Sequence, residues 1–158
     1  MNLLPLFQWC EESGLGRTVR ESVWAFAAVE SVHLLALATM GGAVLLVDLR
    51  LLNLGLRQRP VAELAGEAQR FQNAALIVLV LSGLCLFASE ATKCYYSVPF
   101  SVKMVTLVVA TLFTYTIRRR VAFSSSDSSD STRIAVALVS VTLWFIVAAS
   151  GRWIGFSG

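Results

Sequence analysis

Long apolar segments alternate with short polar ones along the chain, and four of them, with their flanks, are long enough to cross a membrane. They cover residues 23–47, 74–88, 100–117 and 134–150. A helix rises about 1.5 Å per residue and the hydrocarbon is ~30 Å thick, so a span needs roughly 17 to 25 apolar residues. Because lipid offers no hydrogen-bond partner to the backbone, such segments must be helical. We therefore predict an all-α membrane protein, a four-transmembrane-helix bundle in a single domain (1–158), with spans at about 22–47, 71–89, 100–117 and 134–153.

The segments outside the spans differ in character. Residues 3–20 place Phe7 and Trp9 among polar neighbours, a pattern typical of an interfacial helix that lies on the membrane surface. Residues 121–132 contain the polar run SSSDSSDST, which predicts a flexible loop. We therefore expect an N-terminal interfacial helix and one flexible connection around the four spans.

The distribution of Lys and Arg predicts the orientation in the membrane. The two connections between the first and second spans and between the third and fourth are basic, with Arg50, Arg57, Arg59, Arg70, Arg118, Arg119, Arg120 and Arg133. The opposite side carries fewer basic residues, which are Arg17, Arg20, Lys93 and Arg152. Basic flanks are retained in the cytoplasm. We expect a multi-pass protein of the bacterial inner (cytoplasmic) membrane with both termini outside the cytoplasm.

Composition narrows the classes of protein further. With 56% apolar and 15% charged residues, the chain is too apolar for a soluble domain. Its net charge of +3 is explained by membrane anchors, so we expect no nucleic-acid partner. Cys10 and Cys94 both fall on the predicted outer side, where oxidation can occur, so a disulfide between them is one of two alternatives. Cys85 is interpreted as a packing residue. No C-x-x-C pair supports clustered zinc ligands or a c-type haem.

The ionisable residues within the spans are the candidates for function, because burying a charge in hydrocarbon costs several kcal/mol. Glu30 and His33 are three residues apart and share one face of the first helix. Lys103 and Met104 begin the third span, and Arg152 ends the fourth. All five are predicted in the outer half of the bundle. We take them as the candidate cofactor-binding residues.

His33 is the single histidine, and three roles fit it: axial ligand to a haem iron, proton relay, or packing residue hydrogen-bonded to Glu30. Haem b is favoured because a membrane bundle can hold the macrocycle between helices, with basic outer residues such as Arg152 near the propionates. The sixth iron ligand would be Lys103, Met104, Met40, a second subunit or nothing. As alternatives to ligation, the methionines would pack in the apolar interior, and Lys103 would extend its side chain to the lipid headgroups.

Several short motifs carry a resemblance to a known family. They are E-S-V-H at 30–33, G-G at 41–42, D-L-R-L-L at 48–52 and P-F-S-V-K at 99–103. Over nearly its whole length the chain resembles a family of uncharacterised four-helix bacterial membrane proteins, which implies no activity. More loosely, His33 and Lys103 resemble residues of the four-helix protoporphyrinogen oxidases and of CopD-type membrane proteins. That likeness implies haem b on His33, with Lys103 as second ligand or as a charge that handles substrate.

These observations predict a haem b protein with an electron-transfer or redox role near the outer face, and a quinone or a redox protein as its partner. The alternatives are a cofactor-free interaction subunit of a larger membrane complex, a homo-oligomer, or an oxidoreductase similar to the protoporphyrinogen oxidases. A transport pathway is disfavoured because we expect almost no titratable group below His33. Asp48 and Arg50 are expected to anchor the cytoplasmic end of the first span. The motifs of other common enzyme classes are absent.

Overall fold

The computed structural model describes residues 4–55, 58–124 and 129–154, and these form helices without any strand. A π-helical turn, Thr114–Arg118, joins the sixth and seventh helices into one continuous span, Val98–Phe123. The helices are α1 (Leu4–Glu12), α2 (Gly14–Glu21), α3 (Val23–Leu51), α4 (Val61–Ser89), α5 (Ala91–Tyr96), α6 (Val98–Phe113), α7 (Arg119–Phe123) and α8 (Asp130–Ile154).

Four helical segments are long and apolar enough to cross a membrane, which confirms the predicted all-α, four-span fold. They are longer than the predicted spans. Helix α4, for example, begins at Val61 and not near 71. Its first ten residues are rich in Ala, Glu, Leu and Gln, which favour helix as well in water as in lipid. The apolar stretch therefore marks the hydrocarbon-crossing part, and the helix continues beyond it.

Serine side chains cap the first turns of three helices. Ser13, Ser22 and Ser97 precede α2, α3 and α6, and each hydroxyl accepts a hydrogen bond from a backbone N–H three residues later. This capping satisfies a backbone donor that a helix start leaves unpaired. The predicted single interfacial helix over 3–20 is therefore two helices, because Ser13 ends α1 and caps α2. The predicted loop at 121–132 is helical up to Phe123 and again from Asp130, and residues 125–128 lie outside the described residues.

The long helices pack in the order α4, α3, α8, α6. Helix α3 lies between α4 and α8, and α6 packs on α8. In contrast, almost no Cα atom of α4 lies within 8 Å of a Cα atom of α6. In the most apolar stretch of the α6–α7 span, 11% of the residues are buried, against 28% in each of the others. The α4 and α6 backbones are thus well separated, and the rings of Phe87 and Phe100 stack between them with centroids 5.7 Å apart. The central core consists of Ala36, Met40, Val44, Ala75, Leu79, Ala110, Trp144 and Val147.

The short helices α1, α2 and α5 form a platform at the end of the bundle where α3 begins and α4 ends. The Phe7 ring of α1 meets Phe87 and Tyr95 edge to face, with centroids 5.3 and 5.2 Å apart. Gly16 of α2 lies so close to α4 that a Cβ atom there would be 2.6 Å from the Ala88 carbonyl oxygen. The platform leaves Trp9, among others, exposed, and its position at the membrane interface stays a prediction.

A single carboxylate ties the platform together. Glu11 of α1 accepts a hydrogen bond from the Thr92 N–H in the first turn of α5, at 2.7 Å, and pairs with Arg20 of α2 at 2.9 Å. The residue that precedes α5, Glu90, makes no side-chain cap of its own. Glu11 therefore caps α5 from a distant part of the chain. The hydrogen bonds to Thr92, together with Arg20, hold the pKa of the Glu11 carboxyl below its usual value.

We predict that Glu11→Ala lowers stability by about 1 kcal/mol at neutral pH, the loss typical of a helix cap. Because the folded-state pKa is lowered, the stabilisation is present above the unfolded-state value of about 4.3 and is lost as the pH falls through the lowered one. Thermal unfolding in detergent at neutral and strongly acidic pH measures this. Glu12→Ala, at the exposed neighbour, is the matched control. Equal effects of the two substitutions, or an effect that persists in acid, would contradict the capping role.

Candidate functional site

His33 lies against helix α4 in the half of the bundle nearer the platform. Its side chain is partly buried, and Nδ1 is 2.8 Å from the Ser82 hydroxyl oxygen. The next residue, Gly83, has no side chain, and a Cβ atom there would be only 3.4 Å from His33 Cε1. Helix α4 thus contributes one polar partner and one small residue that lets the imidazole approach the backbone.

The Ser82 hydroxyl determines which nitrogen of the neutral His33 ring carries the proton. Its own hydrogen is donated to the Val78 carbonyl oxygen, at 2.6 Å, four residues back along α4. The hydroxyl can then only accept from His33, so Nδ1 is protonated and Nε2 keeps its lone pair. No residue of the described chain forms a hydrogen bond with Nε2. A ring held through Nδ1–H with a free Nε2 is the arrangement of histidines that bind metals.

Lys103 of α6 provides a positive charge on the facing side of the bundle. It is partly buried, and its Nζ lies beside Gly151 of α8, 3.5 Å from where a Cβ atom would be. The ammonium is within electrostatic range of the His33 ring and of Cys94. Among the described residues no carboxylate lies within ion-pair distance of it. His33 and Lys103, which come from distant parts of the sequence, thus lie close enough for their charges to interact, and we call this pair the His33 centre.

The other predicted site residues do not join this centre. Glu30 is exposed and makes no hydrogen bond within the described chain, so the hydrogen bond to Glu30, which is one of the three roles open for His33, is not formed and Ser82 is the partner instead. Met104 is 43% exposed, since it follows Lys103 by one residue and therefore points about 100° away around the helix. Arg152 is exposed in the last turn of α8. Met40 is fully buried in the apolar core, where it packs against the neighbouring helices.

A second polar centre lies in the opposite half of the bundle. Arg118 donates from Nε to Asp48 Oδ1 at 2.6 Å and from Nη2 to the Val44 carbonyl oxygen at 2.9 Å. The Asp48 and Arg118 side chains are 0% and 4% exposed. The Ser140 hydroxyl lies beside the carboxylate. Both Ser140 Oγ and Asp48 Oδ2 are buried without a well-formed hydrogen bond among the described residues.

This ion pair corrects two expectations. The half of the bundle away from His33 does hold titratable groups, and Asp48 is not a surface anchor, because α3 continues to Leu51 and turns this carboxylate inward. Arg50 bonds instead with the Arg59 carbonyl and with Asn53. The signal in the sequence was the triple arginine at 118–120. Three successive residues cover about 200° of a helix, so they cannot all face outward.

The π turn selects which of the three arginines is buried. The Arg119 N–H donates to the Thr114 carbonyl oxygen, five residues earlier, and the wider turn changes the rotational phase of the helix. Arg118 consequently points into the bundle, whereas Arg119 and Arg120 are exposed. Thr114 is also buried and accepts a hydrogen bond from Trp144 Nε1 at 3.1 Å. The turn therefore joins α6 to both α3 and α8.

The described residues include no group of three or more His, Cys, Asp or Glu that could hold a metal ion by themselves. Cys10, Cys85 and Cys94 are free thiols, so the disulfide considered between Cys10 and Cys94 is not formed. Burial and the nearby Glu90 carboxylate raise the pKa of the Cys94 thiol to about 11, which leaves it unreactive at neutral pH.

The four long apolar helices and the polar centres between them define a multi-pass, four-helix membrane protein. The chain belongs to a family of unknown function, DUF6644, whose model matches residues 6–157. No curated protein and no solved structure is significantly similar to it. Membership of an uncharacterised family is thus confirmed over nearly the whole chain. The comparisons give no support to the looser likeness to protoporphyrinogen oxidases or CopD-type proteins.

We predict that removing one partner of the buried pair, by Asp48→Leu or Arg118→Met, destabilises the protein by about 3 to 5 kcal/mol, because it leaves an uncompensated buried charge. Making both substitutions together should recover most of the loss. Unfolding in mixed detergent micelles measures these differences. Arg50→Met is the matched control and should have a small effect. A double variant as unstable as the sum of the single variants would contradict the pairing.

Proposed function

We propose that this protein binds haem b within the membrane through His33 Nε2 and serves electron transfer or other redox chemistry. The observation that carries the proposal is the His33 ring, held through Nδ1–H by Ser82 with a free lone pair on Nε2. That lone pair is the donor that a haem iron takes. No described residue occupies Nε2, and this atom is not among the buried polar atoms, so a ligand can reach it from outside the chain.

Small residues lie beside both side chains of the proposed site. Gly83 and Gly151 let His33 and Lys103 approach the neighbouring helices closely. A planar group would enter from the lipid between α4 and α6, whose backbones are well separated. When bound, haem supplies one-electron redox chemistry, and the protein provides the axial nitrogen, the ring orientation and an apolar surrounding.

Lys103 is the second residue of the proposed site. Its ammonium is partly buried and has no carboxylate partner in the described chain, so it would bind a propionate or serve as sixth ligand to the iron. This role favours Lys103 over Met104, whose side chain lies on the outer surface. Arg152 follows Gly151 in the last turn of α8 and is a further basic residue close to Lys103 along the bundle axis.

The distribution of basic residues supports an orientation with both termini outside the cytoplasm of a bacterial inner membrane. His33 and Lys103 would then lie in the outer half of the bilayer. Electrons would be exchanged there with a membrane quinone or with a redox protein on the outer side. The opposite half, with its buried ion pair, would be structural.

We expect the protein, purified in mild detergent after expression with haem supply, to show a Soret band whose companion bands sharpen on dithionite reduction. A pyridine haemochrome assay should identify haem b. His33→Gly should insert and fold but lose most of the Soret absorption, and added imidazole should restore it by replacing the missing ring. Glu30→Gln, on the same helix, is the matched control and should keep the spectrum. A colourless wild-type sample, or a His33→Gly variant with an unchanged spectrum, would contradict the proposal.

The sparsely covered α6 face favours a second function, that of a cofactor-free interaction subunit or homo-oligomer. Exposed Val98, Val105 and Leu112 lie along this helix. The same purified sample distinguishes the two functions. A colourless protein that migrates as an oligomer or with partner subunits would replace the haem proposal by this one.

A further inference from the structure

An open, shallow depression of about 520 Å³ lies beside the π turn, at the end of the bundle remote from the platform. It belongs neither to the His33 centre nor to the buried ion pair. Its walls are formed by Tyr115, Thr116, Arg119, Arg120, Phe123 and Ser124.

The depression concentrates positive charge. Arg119 and Arg120 both line it, and neither forms an ion pair with any described carboxylate. Their neighbour Arg118, in contrast, is fully paired with Asp48. Among the exposed arginines elsewhere, Arg59 is paired, at 3.1 Å from Glu67. Two adjacent guanidinium groups directed at one concavity are suited to an anion with several oxygen atoms.

The remaining walls of the depression offer few free donors. The Tyr115 hydroxyl donates to Asn73 Oδ1 at 2.6 Å, and the Thr116 hydroxyl donates to the Leu112 carbonyl oxygen at 2.5 Å. The Arg119 guanidinium lies over the Phe123 ring, 5.8 Å from its centroid, which fixes its direction. The depression thus combines two guanidinium groups with an aromatic surface. A ligand that fits it is amphipathic, with an anionic head and an apolar body.

We propose that this depression binds the phosphate headgroup of an anionic phospholipid. Arg119 and Arg120 would donate to the phosphate oxygens, while the glycerol and acyl carbons would lie along Phe123 and the exposed apolar side chains of the α6–α7 span, such as Leu112 and Ile117. The π turn makes the site by directing Arg118 inward and leaving the next two arginines outside. The shared chemistry with a soluble ligand is the phosphate group, and the apolar wall favours the lipid as its source.

Native mass spectrometry of the protein from mixed micelles with equal amounts of phosphatidylglycerol and phosphatidylcholine tests this site. We expect the wild type to retain phosphatidylglycerol several-fold over phosphatidylcholine. Arg119→Gln/Arg120→Gln should reduce that preference at least threefold, and the Lys pair at the same positions should retain part of it. Arg17→Gln/Lys93→Gln removes the same charge from the platform end and should keep the preference.

Three outcomes would overturn the proposal. An equal loss in the platform control would mean that net charge alone attracts the lipid. An unchanged preference in the Arg119→Gln/Arg120→Gln variant would exclude the depression. Displacement of the lipid by millimolar inorganic phosphate would identify a soluble anion as the ligand. Circular dichroism of each variant checks that it is folded, and none of these measurements depends on haem.

Discussion

Hydrocarbon offers no water to a polar group, and this constraint governs every polar contact inside the bundle. Asp48 and Arg118 satisfy it by pairing with each other, since either charge alone would be costly in lipid. The pair joins α3 to the turn that ends α6, with Ser140 of α8 beside it. The same turn is tied to α8 by the hydrogen bond from Trp144 to Thr114, so three helices meet at these buried polar contacts.

The same constraint gives His33 its significance. Nδ1 is satisfied by Ser82, whose hydroxyl is satisfied in turn by the α4 backbone, whereas Nε2 has no partner in the described chain. Lys103 is similarly without a carboxylate. In one half of the bundle the two buried charges are paired with each other, whereas in the other half no described residue uses Nε2 of His33 or neutralises Lys103. That unused capacity is what the haem proposal rests on.

The sequence predicts the four spans well because their apolar length is imposed by membrane thickness. It also places His33 and Lys103 in the same half, because both positions can be counted from the span ends. It does not reveal the Asp48–Arg118 pair. That contact depends on a π turn, which rotates the residues after it around the helix axis. A sequence pattern that assumes about 3.6 residues per turn throughout does not predict this rotation. Nor does it reveal Ser82 as the partner of His33, since serine is common on membrane helices for many reasons.

The presence of one histidine in the chain allows the central claim to be tested at a single atom. Nitrogen NMR of protein labelled with ¹⁵N-histidine, in detergent and without haem, reports which ring nitrogen is protonated. The structure predicts a protonated Nδ1 and an unprotonated Nε2, with the Nε2 resonance lost or strongly shifted when haem is added. A ring protonated at Nε2, or an Nε2 resonance unaffected by haem, would contradict the claim that this nitrogen is held ready for a ligand.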